Sequence, residues 1–550
     1  MPSAPELLVT GLIHTLDPRN PLAEAVLVRD GRFACVGTVA ACEGRALPGV
    51  RRVHVGSAVP GLVDAHGHVF GLGRSRGEVS CAGAASEDEC LARVAARVRT
   101  APPGSWLRGR GWDQNRWPGQ RFPTAAALGR AVPDRPAVLM RVDGHAAWVN
   151  EAALAAAGIG KDTPDPAGGK ILRGPDGAPS GVLVDAAADL VLRKIPAPAA
   201  AELEAGILAG LEELAALGLT EAHDAGVTPG MIDVYVRLAR EDRLPIRVYV
   251  MVDGEVPLAR LEAELARVTA LGREAGTAGG GRAAGQMHGL ELGRLTVRAV
   301  KLYADGALGS RGAALFEDYA DEPGNRGLLL TPPEALRAKV RAVVAAGWQP
   351  AVHAIGDRGV AEVLAALEAA GPPARVKALR PRIEHLQILR AADVPRLAAT
   401  GAVASMQPTH ATSDAPWVPA RLGAGTARLR GAYAWRTVLS AGAPLAFGSD
   451  FPIEEPDPRA GLASAEARLP AAGGPAFLPE ERLGRTEALR AFTSGAAYAA
   501  FAEGRRGVIR EGADADLTGF GGDVLAVPAA ALPALPITLV VVGGRALRGG

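Results

Sequence analysis

The sequence predicts an α/β fold: a (β/α)8 TIM-like barrel, a small β-sandwich domain formed by both termini, and a subdomain inserted between the first and second barrel strands. Three observations carry this reading. Short apolar segments alternate with Ala/Leu-rich helical stretches through the middle of the chain. Gly-rich, short-strand texture recurs at both ends, and the gap from the first to the second strand, residues 72 to 218, is far too long for one crossover helix.

Taken in order, "ELLVTGLIHTL" and "AEAVLVRDGRFACVG" alternate apolar and polar residues across Asp30-Gly31, the signature of a β-hairpin. The C-terminal "GVIREGADADLTGF" and "PITLVVVGGRAL" have the same texture, so residues 1–58 and 504–550 are expected to form one composite β domain. The barrel is expected over residues 59–503, with eight strands: "AVPGLVDAHGH", "LTEAHDAG", "IRVYVMV", "VRAVKLYADG", "QPAVHAIGD", "PRIEHLQ", "AVASMQP" and "PLAFGSD". Helical stretches such as "AAELEAGILAGLEELAALG" and "PEALRAKVRAVVAAG" lie between several of them, the second ending at a Gly suited to a C-cap. The insertion, residues 72–218, carries "RGWDQNRWPGQRFP" and "DTPDPAGGKILRGPDGAP", whose Trp, Pro and Gly density fits a structured lid.

Composition narrows the function classes. Sixty basic residues against 59 acidic ones give a formal charge of +1 without like-charge blocks, so nucleic-acid and membrane-surface binding find no support. The N-terminus lacks a basic region followed by an apolar one, and no run approaches the roughly 18 apolar residues of a membrane span. A cytoplasmic protein with a small-molecule substrate is expected, and self-association as a homodimer is left open. The four cysteines, Cys35, Cys42, Cys81 and Cys90, are too widely spaced for a Cys-x-x-Cys site and read as reduced thiols.

The chemistry sits at strand ends. His66 and His68 end the first strand, Lys301 lies in the fourth, His353 ends the fifth, His385 the sixth and Asp450 the eighth. In a parallel barrel those ends open onto one face, where active sites sit. Residues i and i+2 on a strand share a face, so His66 and His68 can direct two imidazoles toward one ion. Imidazole nitrogen with carboxylate oxygen suits Zn²⁺ and neighbouring metals. Lys301 is unusual in a chain whose cations are mostly Arg: burying an ammonium is costly, so it either pairs with an acid or is converted by CO₂ into an anionic carbamate ligand.

The segments "DAHGH", "VKLYADGALGSRGAAL", "HAIGDRG", "RIEHLQ", "SMQPTHATSD" and "GSDFPIEEPDP" together resemble the metal-dependent amidohydrolase superfamily, and within it the amidohydrolase family 3 branch typified by N-substituted formamide deformylases. The resemblance covers nearly the whole chain, including "GWDQNRWPG" and "DGHAAWVN" in the insertion. It implies one or two divalent ions, zinc first: His66, His68 and Asp450 on the more buried ion, carboxylated Lys301 bridging, and His353 and His385 on the second.

The chemistry that follows is hydrolysis of a linear C–N bond, such as that of an N-acyl or N-formyl amine, by metal-activated hydroxide with Asp450 as general base. A deaminase, cyclic amidase, carbamate or ester hydrolase, or isomerase would use the same barrel; a non-catalytic barrel with a closed metal site is the reading from another class. Candidate substrate contacts are His145, His223 and His410, together with Arg311, whose blander role is a salt bridge to Asp305 or another acid. Trp112, Trp117, Trp148 and Trp417 are candidates for an apolar pocket wall, with core packing as the alternative.

Overall fold

The computed structural model describes residues 6–101, 104–114, 117–141, 146–166, 169–276, 288–470 and 473–548. It divides into two compact units, Met1–Gly71 with Glu204–Gly550, and Leu72–Leu203. Most of the helix Ala200–Ala216 therefore belongs to the barrel unit, where it leads directly into the second barrel strand.

Both termini enter one hydrogen-bonded sheet of seven strands rather than two separate sheets. Its order is Arg545–Arg548, Ile537–Val542, Leu517–Phe520, Arg51–Pro60, Leu7–His14, Leu22–Arg29 and Arg32–Gly37. Alternation along Leu7–His14 explains its two dry faces: Leu7, Val9 and Ile13 pack with Val26, Ile509 and Leu539, whereas Leu8 packs with Ala25, Leu27 and Val50. Between Leu22–Arg29 and Arg32–Gly37, Asp30 and Gly31 both take positive φ, 49° and 76°, as a tight right-twisted hairpin requires.

The cysteines depart from expectation. Cys35 pairs with Cys42 and Cys81 with Cys90 as disulfides, with Cα atoms 5.5 and 5.3 Å apart. Linear spacing concealed this because a helix folds each partner back: Cys42 lies on Val39–Glu43 and Cys90 on Glu87–Val98.

The eight barrel strands are β1 (Leu62–Gly67), β2 (Leu219–Val227), β3 (Arg247–Asp253), β4 (Leu295–Tyr303), β5 (Gln349–Ala354), β6 (Arg382–His385), β7 (Val403–Met406) and β8 (Leu445–Phe447). They run parallel in that order and coincide with the eight segments read from the sequence. Just beyond β8 the circle closes onto β1: Asp450 N–H donates to the His66 carbonyl, and His68 N–H donates to the Phe451 carbonyl, both at 2.8 Å. Parallel register aligns the strand ends, with Tyr303 opposite His353 and Ala354 opposite His385. Small interior residues, including Ala225, Ala299 and Ala351 beside Tyr249 and Met251, leave room in the barrel for large polar side chains.

The unit Leu72–Leu203 holds its own six-stranded sheet. Trp112, Trp117 and Trp148 pack together in its core, with ring centroids 6.1 to 6.3 Å apart. Among the described residues no helix is long and apolar enough to cross a membrane.

Candidate metal centre

A cavity of about 390 Å³ opens at the carboxyl ends of the strands, lined by His68, Lys301, His353, His385, His410 and Asp450, with Leu308, Ile355, Trp417 and Ile453 as its apolar wall. His66 lies fully buried beside it. The strand parity that aims His66 inward also aims Asp64, which accepts hydrogen bonds from the Ser449 hydroxyl at 2.6 Å and from the Ser449 and His66 backbone N–H groups at 3.1 Å. That ties β1 to the loop carrying Asp450. His385 has the wrong parity to face inward beside Glu384; a left-handed backbone at His385 (φ 73°) and Leu386 (φ 44°) turns it into the cavity. Asp450 is likewise left-handed, at φ 62°.

The nitrogens and oxygens converge. Asp450 Oδ1 lies 3.2 Å from His68 Nε2 and 3.6 Å from His66 Nε2, and Lys301 Nζ lies 3.2 Å from His66 Nε2. The His385 ring centroid is 4.6 Å from that of His353 and 4.8 Å from that of His66. Among the described residues, two three-residue groups have the spacing to hold an ion: His66, His68 and Asp450, and His385, His410 and Asp450.

Hydrogen bonds on the far nitrogens define which face each ring presents. His66 Nδ1–H donates to Glu384 at 2.6 Å, His68 Nδ1–H to the Ala225 carbonyl at 3.0 Å and His385 Nδ1–H to Gln407 Oε1 at 2.9 Å. Each leaves an Nε2 lone pair toward the cavity, as a metal-ligating histidine needs. His410 differs: its Nδ1 accepts the Gln387 amide N–H at 3.2 Å, so Nε2 carries the proton. Among the described residues, Asp450 Oδ1, His353 Nε2 and His410 Nε2 are buried without hydrogen-bond partners. Unsatisfied polar atoms of that kind are costly in a finished core, and the donor set of neutral imidazoles and a carboxylate fits a divalent ion.

Electrostatics agrees. Burial and the nearby Lys301 ammonium push His66 down to about 4 and His353 down to about 3, so both rings are neutral. Burial alone would raise the Asp450 carboxyl, but the surrounding His68, His385 and His66 rings hold it well below its ordinary range. Burial pushes Lys301 down to about 8. Among the described residues no carboxylate lies within ion-pair distance of its Nζ.

Not every candidate from the sequence reaches the cavity. Trp112 is fully buried in the core of its own unit, its indole N–H donating to the Leu139 carbonyl at 2.7 Å; it is a packing residue there. His223 lies fully buried in the barrel interior, its Nδ1 accepting from the Arg382 guanidinium at 2.9 Å, and it is not among the residues that line the cavity. Arg311 pairs with Asp321 at 3.0 Å and Glu322 at 3.2 Å rather than with a cavity ligand, while Asp305, its anticipated partner, accepts backbone N–H groups of Ala314, Ile355 and Gly356. His145 lies outside the described residues. His410 and Trp417 do line the cavity.

The sequence reading missed Asp64, Arg382, Glu384, Tyr303 and Gln407. "RIEH" held a usable signal: two opposite charges at i and i+2 of a buried strand must share the interior face.

The amidohydrolase family model matches residues 56–548, and this chain belongs to that family. The chain is similar to the protein YtcJ of Bacillus subtilis (strain 168), at 34% identity over 97% of this chain and 98% of the relative. It is similar to the N-substituted formamide deformylase of Arthrobacter pascens at 28% identity, covering 93% of this chain and 92% of that one. Among solved structures, an uncharacterized metal-dependent hydrolase from Pyrococcus horikoshii OT3 superposes with a TM-score of 0.78 at 25% identity, covering 96% of this chain and 99% of that one.

Proposed function

We propose that this protein hydrolyses a linear amide-type C–N bond, taking an N-acyl or N-formyl amine to a carboxylic acid and an amine, with one or two divalent ions, zinc first. The observation that carries the reading is the gathering of His66, His68, Lys301, His353, His385 and Asp450 around one cavity, with unpartnered buried Nε2 and Oδ1 atoms. His66, His68 and Asp450 would hold one ion; His353 and His385 would hold a second, with Lys301 between them as a carbamate. Forming that carbamate joins the uncharged Lys301 amine to CO₂ with loss of a proton, and the burial that pushes Lys301 down to about 8 favours the uncharged amine.

When bound, the metal supplies Lewis acidity that makes water a stronger acid and polarises a carbonyl. The protein's own groups do the rest. Asp450 accepts the proton of the attacking water; water oxygen bonds to the carbonyl carbon; as the C–N bond breaks, Asp450 returns the proton to the departing amine. His410 Nε2–H, which lies 3.9 Å from Asp450 Oδ2 and has no hydrogen-bond partner among the described residues, donates to the carbonyl oxygen as it gains charge. Leu308, Ile355 and Trp417 receive an apolar acyl or amine substituent.

The test is kcat/KM across a panel of N-formyl and N-acyl amines, with acid and amine products identified. Asp450→Asn is expected to lower kcat by ~10²–10⁴-fold, the range for a positioned general base. Turnover of the panel unchanged by Asp450→Asn, or products other than acid plus amine, refutes the assignment.

A further inference from the structure

Directly beneath the cavity lies a set of charged groups that the proposed chemistry does not use. Arg382 and Glu384, on β6, and His66, on β1, are all fully buried. The Arg382 Nε–H donates to Glu384 Oε1 at 2.7 Å, and Nη2 lies 3.3 Å from Oε2. The same guanidinium donates to the Ala65 carbonyl at 2.5 Å, to the Ser405 hydroxyl at 2.9 Å and to His223 Nδ1 at 2.9 Å. One side chain thus reaches β1, β2, β6 and β7. The second oxygen of Glu384 accepts His66 Nδ1–H at 2.6 Å.

We infer that Glu384, held by Arg382, is the positioning residue of the metal centre: it fixes the tautomer and ring angle of His66, so that Nε2 alone faces the cavity. The physical case rests on cost and geometry. A fully buried ion pair is an expensive way to stabilise a barrel, because desolvation offsets much of the attraction and apolar packing does as well or better. What an ion pair offers that apolar packing does not is a fixed direction. The Arg382 fork holds the carboxylate in one plane through contacts to several strands, and the carboxylate in turn admits only the Nδ1–H form of His66. A carboxylate behind a ligating histidine also raises the basicity of the ring. By contrast His68 leans on a backbone carbonyl and His385 on a neutral amide, so Glu384 is the charged partner among these three.

This inference rests on the metal reading, and the experiment separates the two. Wild type, Glu384→Gln and Glu384→Asp are stripped with a chelator and titrated with zinc against a chromophoric competitor. Their cobalt-loaded forms are examined by visible absorption, and the metal-free forms by thermal melting. Glu384→Asp keeps the charge opposite Arg382 while withdrawing it from His66 by one methylene. The expected result is a metal-free melting temperature near wild type for Glu384→Asp, with zinc affinity ~10–100-fold weaker in both variants and an altered cobalt spectrum. Unchanged zinc affinity and spectrum in a folded variant overturns the inference, as does loss of the fold in both variants, which would make the pair purely structural. Failure of wild type to bind any divalent ion overturns the metal reading itself.

Discussion

At the residue scale, the roles separate by which ring nitrogen carries a proton. His66, His68 and His385 donate through Nδ1 and keep Nε2 as a lone pair; His410 accepts at Nδ1 and presents Nε2–H. On the proposed reading that distinction assigns His410 to substrate, although its spacing to His385 and Asp450 also fits an ion. His410→Phe is therefore expected to leave zinc content unchanged and to lower kcat by ~10²–10³-fold, the cost of one oxyanion donor; a stoichiometric loss of metal in that variant would make His410 a ligand instead. The six metal-ligand candidates were legible in the sequence because barrel topology brings strand ends together whatever lies between them. The tautomers were not, since each depends on a partner from a distant segment: Glu384 for His66, Ala225 for His68, Gln407 for His385.

At the element scale, the junction of β8 with β1 is the most constrained part of the site. Gly448 lies where a Cβ would stand 2.5 Å from His66 N and 2.6 Å from Asp64 Oδ1. Both are held in place, so the chain would have to move at β1, which carries His66, and at the segment after β8 that carries Asp450. Gly448→Ala is expected to destabilise the protein by ~1–3 kcal/mol, the usual range for overpacking, and to weaken zinc binding together with stability; a variant that melts and binds zinc as wild type does would show that the junction has slack. All eight strands were readable from short apolar runs bounded by Gly and Pro. The left-handed turn at His385 was not, because it contradicts strand alternation and is held by tertiary bonds: Leu386 N–H donates to the Ala354 carbonyl at 3.0 Å. Nor were the disulfides, since each joins a strand or loop to a helix that turns back on it. Disulfides are rare in a reducing cytoplasm, so these two pairs sit poorly with the compartment that composition suggested.

At the scale of the whole molecule, the barrel and the composite sheet are tied by buried charge. Glu221 on β2 meets Arg506 at 3.1 Å, and Arg247 on β3 meets Asp516 at 2.7 Å. Burial would raise Glu221, but Arg506 and His223 hold it down to about 2. A carboxyl depressed on folding adds stability that is fully present above its ordinary value of 4.5 and is lost as pH falls toward 2. The urea midpoint of the wild type should therefore fall between pH 5 and pH 3 by more than that of Glu221→Gln, with both measured in the same buffers; equal falls would remove Glu221 from the account. That both termini contribute strands of one kind was legible from their shared texture, and they meet in one seven-stranded sheet; the charges that tie that sheet to the barrel were not legible, because each pair joins residues hundreds of positions apart. If the strand ends assemble a metal centre, anomalous diffraction from zinc-loaded crystals will show a strong peak bounded by His66, His68 and Asp450, with density continuing from Lys301 Nζ; a zinc-loaded crystal with no peak among these residues would rule that centre out.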